Sequence, residues 1–439
     1  MKPIIIVGGG LAGCEAAWQL TRRGNEATLV DMKPDKRSPA HRSPRLAELV
    51  CSNSLRSNDP ASAAGLLKEE MRRLDSLVIA SADATAVPSG KALAVDRVLF
   101  SERIERVLLG QRGLRIVREE CREIPGGAHV ILATGPLTSA PLAAAIADLV
   151  GQQSLYFYDA IAPIVDASTI DRTKVFRASR YDAGEGGYLN CPLDDEQYRS
   201  FRLAVLGGRD IPARAFEDER YFEGCLPVEV LARRGEDTLR FGPMKPVGLV
   251  DPCTGREPYA VVQLRQENRE GTLFNMVGFQ TRLARPEQER IFRTIPGLGK
   301  AEFLRFGSIH RNTYIHAPTL LTDTLQLRAN PDLIFAGQIT GVEGYVESAA
   351  TGLLAGLFLD RIRRGLPFSP PPRTTALGAL LGHVSSPGGK GYQPMNINFG
   401  IFEPLGPGVR KRDRGERYRQ RSLAALEEWK CRSVGTPPP

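Results

Sequence analysis

Residues 4–7 (Ile-Ile-Ile-Val) run directly into Gly8-Gly9-Gly10-Leu11-Ala12-Gly13, and helical periodicity resumes over Cys14–Leu20. This is a G-x-G-x-x-G between a strand and a helix, the stretch where the chain has least conformational choice. Gly8 permits the tight turn and Gly10 lets backbone approach a pyrophosphate. Gly13 allows close helix–strand packing, and the helix opening through Leu11 and Ala12 presents N–H donors and its positive dipole end to an anion. A turn at Gly24 leads to a second strand, Ala27–Val30. Asp31 closes it, 18 residues past Gly13, where a carboxylate can accept from a ribose hydroxyl. Strand, glycine turn, helix and strand begin a parallel α/β unit that binds a dinucleotide.

NAD, FAD and AdoMet could each sit on such a turn. Two later segments favour FAD. His129-Val-Ile-Leu-Ala-Thr-Gly135 has the strand-then-A-T-G form of two-dinucleotide flavoproteins, which places Thr134 and Gly135 beside the cofactor. Leu333-Ile-Phe-Ala-Gly-Gln-Ile-Thr-Gly341 resembles their late segment past the ribityl and phosphate, with Gly337 and Gly341 as contacts. Between them the chain becomes short alternating strands with many Gly and Pro. The expected fold is therefore α/β, a discontinuous Rossmann-like FAD-binding domain with an inserted mixed α+β domain. Its parts are 1–150 (first FAD-binding part), 151–330 (insertion and substrate domain) and 331–439 (second part with a basic tail). Residues 61–74 read as an amphipathic helix with its charged residues on the exposed side.

With 439 residues, 42% hydrophobic and 25% charged, the chain buries enough surface to fold without disulfide or metal staples, which excludes disordered and disulfide-scaffold classes. Seven cysteines are scattered, none closer than 28 residues to another, so no zinc-type pairing arises and no metal is expected. Such thiols suit a reducing cytoplasm. The N-terminal apolar run stops at Gly8, unlike a signal peptide, and no stretch approaches a membrane span. A cytoplasmic protein without a membrane partner is expected.

A disulfide reductase would carry a redox cysteine pair soon after the first Rossmann unit. Here Cys51 stands alone in Glu48-Leu-Val-Cys-Ser-Asn-Ser-Leu-Arg-Ser57, with Arg56 near it in sequence. Cys225, in Phe222-Glu-Gly-Cys-Leu-Pro-Val-Glu229, lies between Gly224 and Pro227 in what reads as a loop presenting the sulfur. Each could be a nucleophile or a buried small hydrophobe.

Taken together, the glycine motif (8–13), Val50-Cys-Ser-Asn-Ser-Leu-Arg56, Tyr188-Leu-Asn-Cys-Pro192, Glu223–Glu229, His310-Arg-Asn-Thr-Tyr314, Gly337–Tyr345 and Gln393-Pro-Met-Asn-Ile-Asn-Phe-Gly400 resemble the folate- and FAD-dependent tRNA uracil-5-methyltransferases, the TrmFO family. The likeness runs from residue 1 to about 405. Asp31 departs from the more frequent Glu, and Cys14 from a small residue, here taken as packing. The resemblance implies methylation of the T-loop uridine (tRNA position 54) with 5,10-methylenetetrahydrofolate as carbon donor and reduced FAD as reductant. It implies Cys225 as the C6 nucleophile and Cys51 as the partner in proton removal, two roles that could be exchanged. It also implies that His310 stacks on the folate. Asn396 and Asn398 could touch flavin or cap turns.

NADPH or NADH is expected to reduce the flavin, docking transiently, since no second full glycine motif occurs. Residues 410–421 hold seven basic and two acidic side chains, and Lys makes up only 11 of the 58 basic residues. Arg410, Lys411, Arg412 and Arg414 are candidate contacts to the tRNA T-arm, with Tyr418 available to stack on a base; a solvated, charge-laced helix is the plainer reading. Protein partners are not indicated. Competing functions are a wobble-uridine modifying FAD/folate enzyme of the glucose-inhibited division type, ordinarily much longer, and a small-molecule FAD oxidoreductase.

Overall fold

The computed structural model describes residues 2–38, 40–151, 155–180, 187–211, 226–386 and 392–434, with the side chains of 155–160 and 309–311 set aside. Its first sheet has six strands in the order Gln326–Leu327, Asn330–Phe335, His129–Leu132, Ile4–Val7, Ala27–Asp31 and Leu114–Arg118. All neighbours are parallel except the first pair. Ile6 sits opposite both Leu29 and Ile131 in register, and all three are fully buried. Such continuous apolar runs suit a parallel sheet covered on both faces. Because the strands are parallel, the glycine turn, Asp31, Thr134 and Gly337 all follow carboxyl ends at one sheet edge, where ligands of open α/β sheets bind.

The chain leaves this domain along Leu155–Ile161 and returns along Ser308–Tyr314, two strands paired antiparallel. Beyond them lies a six-stranded antiparallel sheet in the order Phe176–Ala178, Tyr188–Leu193, Ala260–Gln266, Leu273–Met276, Ile164–Asp166, Phe303–Arg305. Its own core joins Tyr198, Phe201, Phe274, Phe279 and Phe292 with the helices Asp195–Leu206 and Arg285–Phe292. The molecule is thus the discontinuous α/β domain with a mixed α+β insertion that the sequence implied. Ile315, Ala317, Leu321, Leu325 and Leu327 pack into the first core, so we propose the paired strands, rather than residues 151 and 330, as the natural boundary.

The helix over 61–74 forms as Ala63–Arg73, capped by Ser62, but its charges are not all outward. Lys68 and Glu70 are fully buried, because helices Tyr345–Arg363, Ala376–Ser385 and Arg414–Trp429 enclose it. Lys68 Nζ donates to the carbonyls of Leu55 and Ala64, and burial pushes its ammonium down to about 7. Glu70 accepts the N–H groups of Ala376 and Leu377 at 2.7 and 2.9 Å, capping the start of the Ala376–Ser385 helix, and also accepts from the Ser422 hydroxyl. Tyr418 is likewise unavailable to a base: it stacks on Phe399 at 4.4 Å and meets Phe402 edge-on. No helix among the described residues is long and apolar enough to cross a membrane.

Candidate functional site

The glycine turn has the geometry its three glycines require. Gly8 has φ +109°, and a Cβ there would lie 2.4 Å from the Ala133 carbonyl oxygen; at Gly13 it would lie 1.8 Å from that of Gly8. At Gly10 it would meet nothing within 4 Å, so that backbone faces open space. Gly10 caps the helix Leu11–Thr21 without a side-chain hydrogen bond, which leaves its first turn to an incoming acceptor. Asp31 accepts Gly9 N–H and Lys33 N–H at 2.8 Å each, one on either oxygen. Every carboxylate oxygen keeps a further lone pair for a ribose hydroxyl. A cleft of about 620 Å³ is lined by Gly8, Gly9, Gly10, Asp31, Thr134 and Leu137, among others. These residues fit the diphosphate and ribose of a dinucleotide.

Leu137 also lines a second chamber of about 1120 Å³, with Cys51, Arg56, Asn312, Gln338, Tyr345 and Glu347 on its walls. The Cys51 loop is held from several directions. Arg97 donates to the carbonyls of Leu49 and Cys51 at 2.6 and 3.0 Å, and Arg305 to that of Val50 at 2.6 Å. Arg265 binds the Ser52 hydroxyl and the Asn53 side-chain carbonyl, each at 2.7 Å. Burial works against the Arg97 charge, and its ion pair with Glu267 more than offsets this. Three guanidiniums and one carboxylate make the loop electropositive. From the opposite wall, the Tyr345 oxygen accepts the Cys51 N–H at 2.7 Å. Glu347, 1% exposed, pairs with Arg56 at 3.2 Å and accepts the Ile397 N–H. Burial raises its carboxyl above the ordinary range, with Arg56 opposing.

The structure thus brings Gly8, Gly10, Asp31 and Thr134 to one cleft and Cys51 to the chamber that shares Leu137 with it. Leu11, Ala12 and Gly13 stand behind the turn in the helix. Gly135 has φ +66° and borders open space. Gly337 lies over Ala12, and Gly341 over Tyr392, both at positive φ; they shape the late segment from behind, while Gln338, Glu343 and Gly344 reach the chamber. Asn396 lines the chamber and Asn398 caps a turn through the Gly400 N–H. Cys14 packs buried beneath the turn, where desolvation and Asp31 push its thiol up. Cys225 lies outside the described residues, as does the side chain of His310, whose backbone pairs with Asp159. Arg410, Lys411, Arg412 and Arg414 are exposed at the start of the Arg414–Trp429 helix. Sequence reasoning missed Arg97, Arg265 and Arg305, which are far apart along the chain. Tyr345 it quoted only as part of a motif.

A family model described as "Glucose inhibited division protein A" matches residues 3–367. The chain is 60% identical over 427 residues to methylenetetrahydrofolate–tRNA-(uracil-5-)-methyltransferase TrmFO of Syntrophus aciditrophicus, covering 97% of each protein. It is 58% identical to the protein of the same name from Geobacter sulfurreducens, covering 97% of this chain and 98% of that one. Among solved structures it resembles Aquifex aeolicus GidA with a TM-score of 0.70 at 16% identity, over 98% of this chain and 74% of GidA. That likeness is one of fold.

Proposed function

The chain belongs to the glucose inhibited division protein A family and, within it, to the TrmFO methylenetetrahydrofolate–tRNA-(uracil-5-)-methyltransferases, and from that membership we propose that it makes 5-methyluridine at the T-loop uridine, position 54, of tRNA. The carbon comes from 5,10-methylenetetrahydrofolate. The observation that carries this reading is that the glycine-turn cleft and the chamber holding Cys51 are neighbours, with Leu137 in the wall of both. Gly8, Gly10 and Thr134 would hold the FAD diphosphate and Asp31 its ribose. Bound FAD, once reduced by NADPH or NADH, supplies the hydride that turns the transferred methylene into methyl.

The protein's own part is covalent catalysis. A thiolate adds to uracil C6, and the C5=C6 electron pair moves through C4 onto O4. C5 then attacks the folate methylene as one of that carbon's two bonds to nitrogen breaks. A base takes the C5 proton as the second carbon–nitrogen bond breaks, which leaves an exocyclic methylene on C5; hydride arriving at that carbon lets the C5=C6 bond re-form and the sulfur leave C6. Cys225 is assigned the addition and Cys51 the assistance in proton removal, with His310 against the folate. The exposed cations at 410, 411, 412 and 414 neutralise T-arm phosphates in the cytoplasm.

The test is transfer of label from methylene-labelled folate to a T-arm transcript by wild type, Cys51→Ala and Cys225→Ala. Both substitutions should abolish turnover while the yellow colour persists. A fully active double variant would refute the thiol chemistry, and label arriving from AdoMet instead would refute the function.

A further inference from the structure

Arg56 lies in the strand Ser54–Ser57 and lines the chamber that holds Cys51. Its backbone is left-handed, φ +65°, which a residue with a Cβ adopts rarely and keeps only where its surroundings impose it. Its N–H donates to the Ser54 hydroxyl at 3.1 Å, and Glu347 holds its other end. One Glu347 oxygen, Oε1, accepts from Arg56 Nη1 at 3.2 Å and from the Ile397 N–H at 3.0 Å. The Glu347 side chain is 1% exposed and that of Arg56 47%, so a buried carboxylate fixes a guanidinium that borders open space. Among the described residues the remaining guanidinium N–H groups meet no protein acceptor, and such a fork fits the paired oxygens of an anion.

The same contacts lead from the chamber to the basic terminal segment. Asn396 lines the chamber, Ile397 is bound by Glu347, and Phe399 stacks on Tyr418 of the Arg414–Trp429 helix at 4.4 Å. Past the Arg56 strand the chain reaches Ala61, and a Cβ at Gly415 would lie 2.2 Å from the Ala61 carbonyl oxygen. The first turn of the terminal helix, beside the exposed Arg410, Lys411, Arg412 and Arg414, thus rests on the segment that follows Arg56. Arg56 does not line the glycine-turn cleft.

We propose that Arg56 binds one of the two phosphates flanking the target uridine, with Glu347 as the residue that positions its guanidinium. This rests on the chamber being the site of uracil methylation. A nucleotide leaves its stack by turning about its own backbone, so the base enters the chamber only if the attached phosphates come to the chamber's edge. A cation there neutralises that charge and continues the cations of the terminal helix. The carboxylates of the folate tail are the other anions of this reaction. The contacts of Arg56 run to the basic helix rather than to the flavin cleft, which favours the phosphate.

The FAD-loaded full chain is titrated with T-arm RNA over a range of salt. Arg56→Gln should weaken binding about tenfold and lower the slope of log Kd against log salt by about 0.7–0.9, the share of a single phosphate. Arg56→Lys should keep most of that slope and lose part of the affinity, since the charge stays and the fork goes. Because Arg56→Gln also strips a buried carboxylate of its partner, the double change with Glu347→Gln leaves neutral amides in the wall and should show the same reduced slope. RNA with a methylphosphonate on one or the other side of the target uridine locates the contact. One of the two should weaken wild type about tenfold and cost Arg56→Gln nothing further. A full slope in either glutamine variant, or methylphosphonate losses that add to that of Arg56→Gln at both positions, would overturn the proposal. So would unchanged RNA binding with a raised KM for 5,10-methylenetetrahydrofolate, which would put a folate carboxylate on Arg56. Wild type inert toward labelled folate and T-arm RNA would remove the functional reading and this inference together; active wild type with an unchanged slope in Arg56→Gln would remove the inference alone.

Discussion

Gly10 and Gly13 stand three residues apart in one turn and answer to different pressures. A methyl group at 13 would lie 1.8 Å from the Gly8 carbonyl oxygen, whereas at 10 it would enter space without a protein atom within 4 Å. Gly13→Ala should therefore destabilise the protein by about 3 kcal/mol or more, since backbone rather than a flexible side chain has to give. Gly10→Ala should leave cofactor-free stability within about 0.5 kcal/mol and weaken flavin binding at least about tenfold, or ~1.4 kcal/mol. Thermal unfolding of the apoprotein and a flavin fluorescence titration separate the two effects. Equal loss of stability in both variants would mean that position 10 serves the fold rather than the ligand.

Among elements, the Ala63–Arg73 helix acts as a hub, and Glu70 is its contact to two others. The carboxylate caps the Ala376–Ser385 helix and holds Ser422 of the terminal helix. Glu70→Gln replaces an acceptor by a donor facing a backbone N–H, and should cost about 1–3 kcal/mol in denaturant unfolding. Burial raises the Glu70 carboxyl from about 4.5 to about 7 against the pull of Ser422 and the two amides. The folded state therefore binds this proton more tightly than the unfolded chain. Its stabilising share is present below pH 4.5 and lost as pH rises to about 7. Wild-type stability should fall across that window from this source, and Glu70→Gln should lack that decline. A difference between the two proteins that is flat with pH would refute the assignment. The neighbouring helix pair is close for a related reason: a Cβ at Gly352 would lie 2.2 Å from the Ala12 carbonyl oxygen, so the Tyr345 helix rests directly on the one that carries the glycine turn.

Across the whole molecule, the position of Cys51 depends on both domains. Arg97 belongs to the nucleotide domain and Glu267 to the insertion, and their side chains are 17% and 2% exposed. Arg265 and Arg305 reach the same loop from the insertion. Arg97→Met leaves Glu267 buried without its partner and should cost about 3–5 kcal/mol. The double change with Glu267→Met should recover a large part, because two apolar groups replace the pair. Chemical denaturation of the three variants decides this, and alkylation of Cys51 reports whether the loop has moved. Additive losses in the double variant would show that the pair does not join the domains.

The glycine turn, the strands on either side of it and the late Leu333–Gly341 segment were legible because their physics is local: a few residues dictate the backbone and the period of apolar side chains. Cys51 was legible as a thiol in a specific motif. What could not be read was which charges face inward. Lys68 and Glu70 look like the polar side of a helix until three other helices enclose them, and Tyr418 looks free for a base until Phe399 covers it. The arginine clamp joins residues 97, 265 and 305 to a loop at 49–53. Sequence periodicity says which side of an element is apolar, but the partner of a buried charge is chosen by chain segments hundreds of residues away, and only their packing decides it.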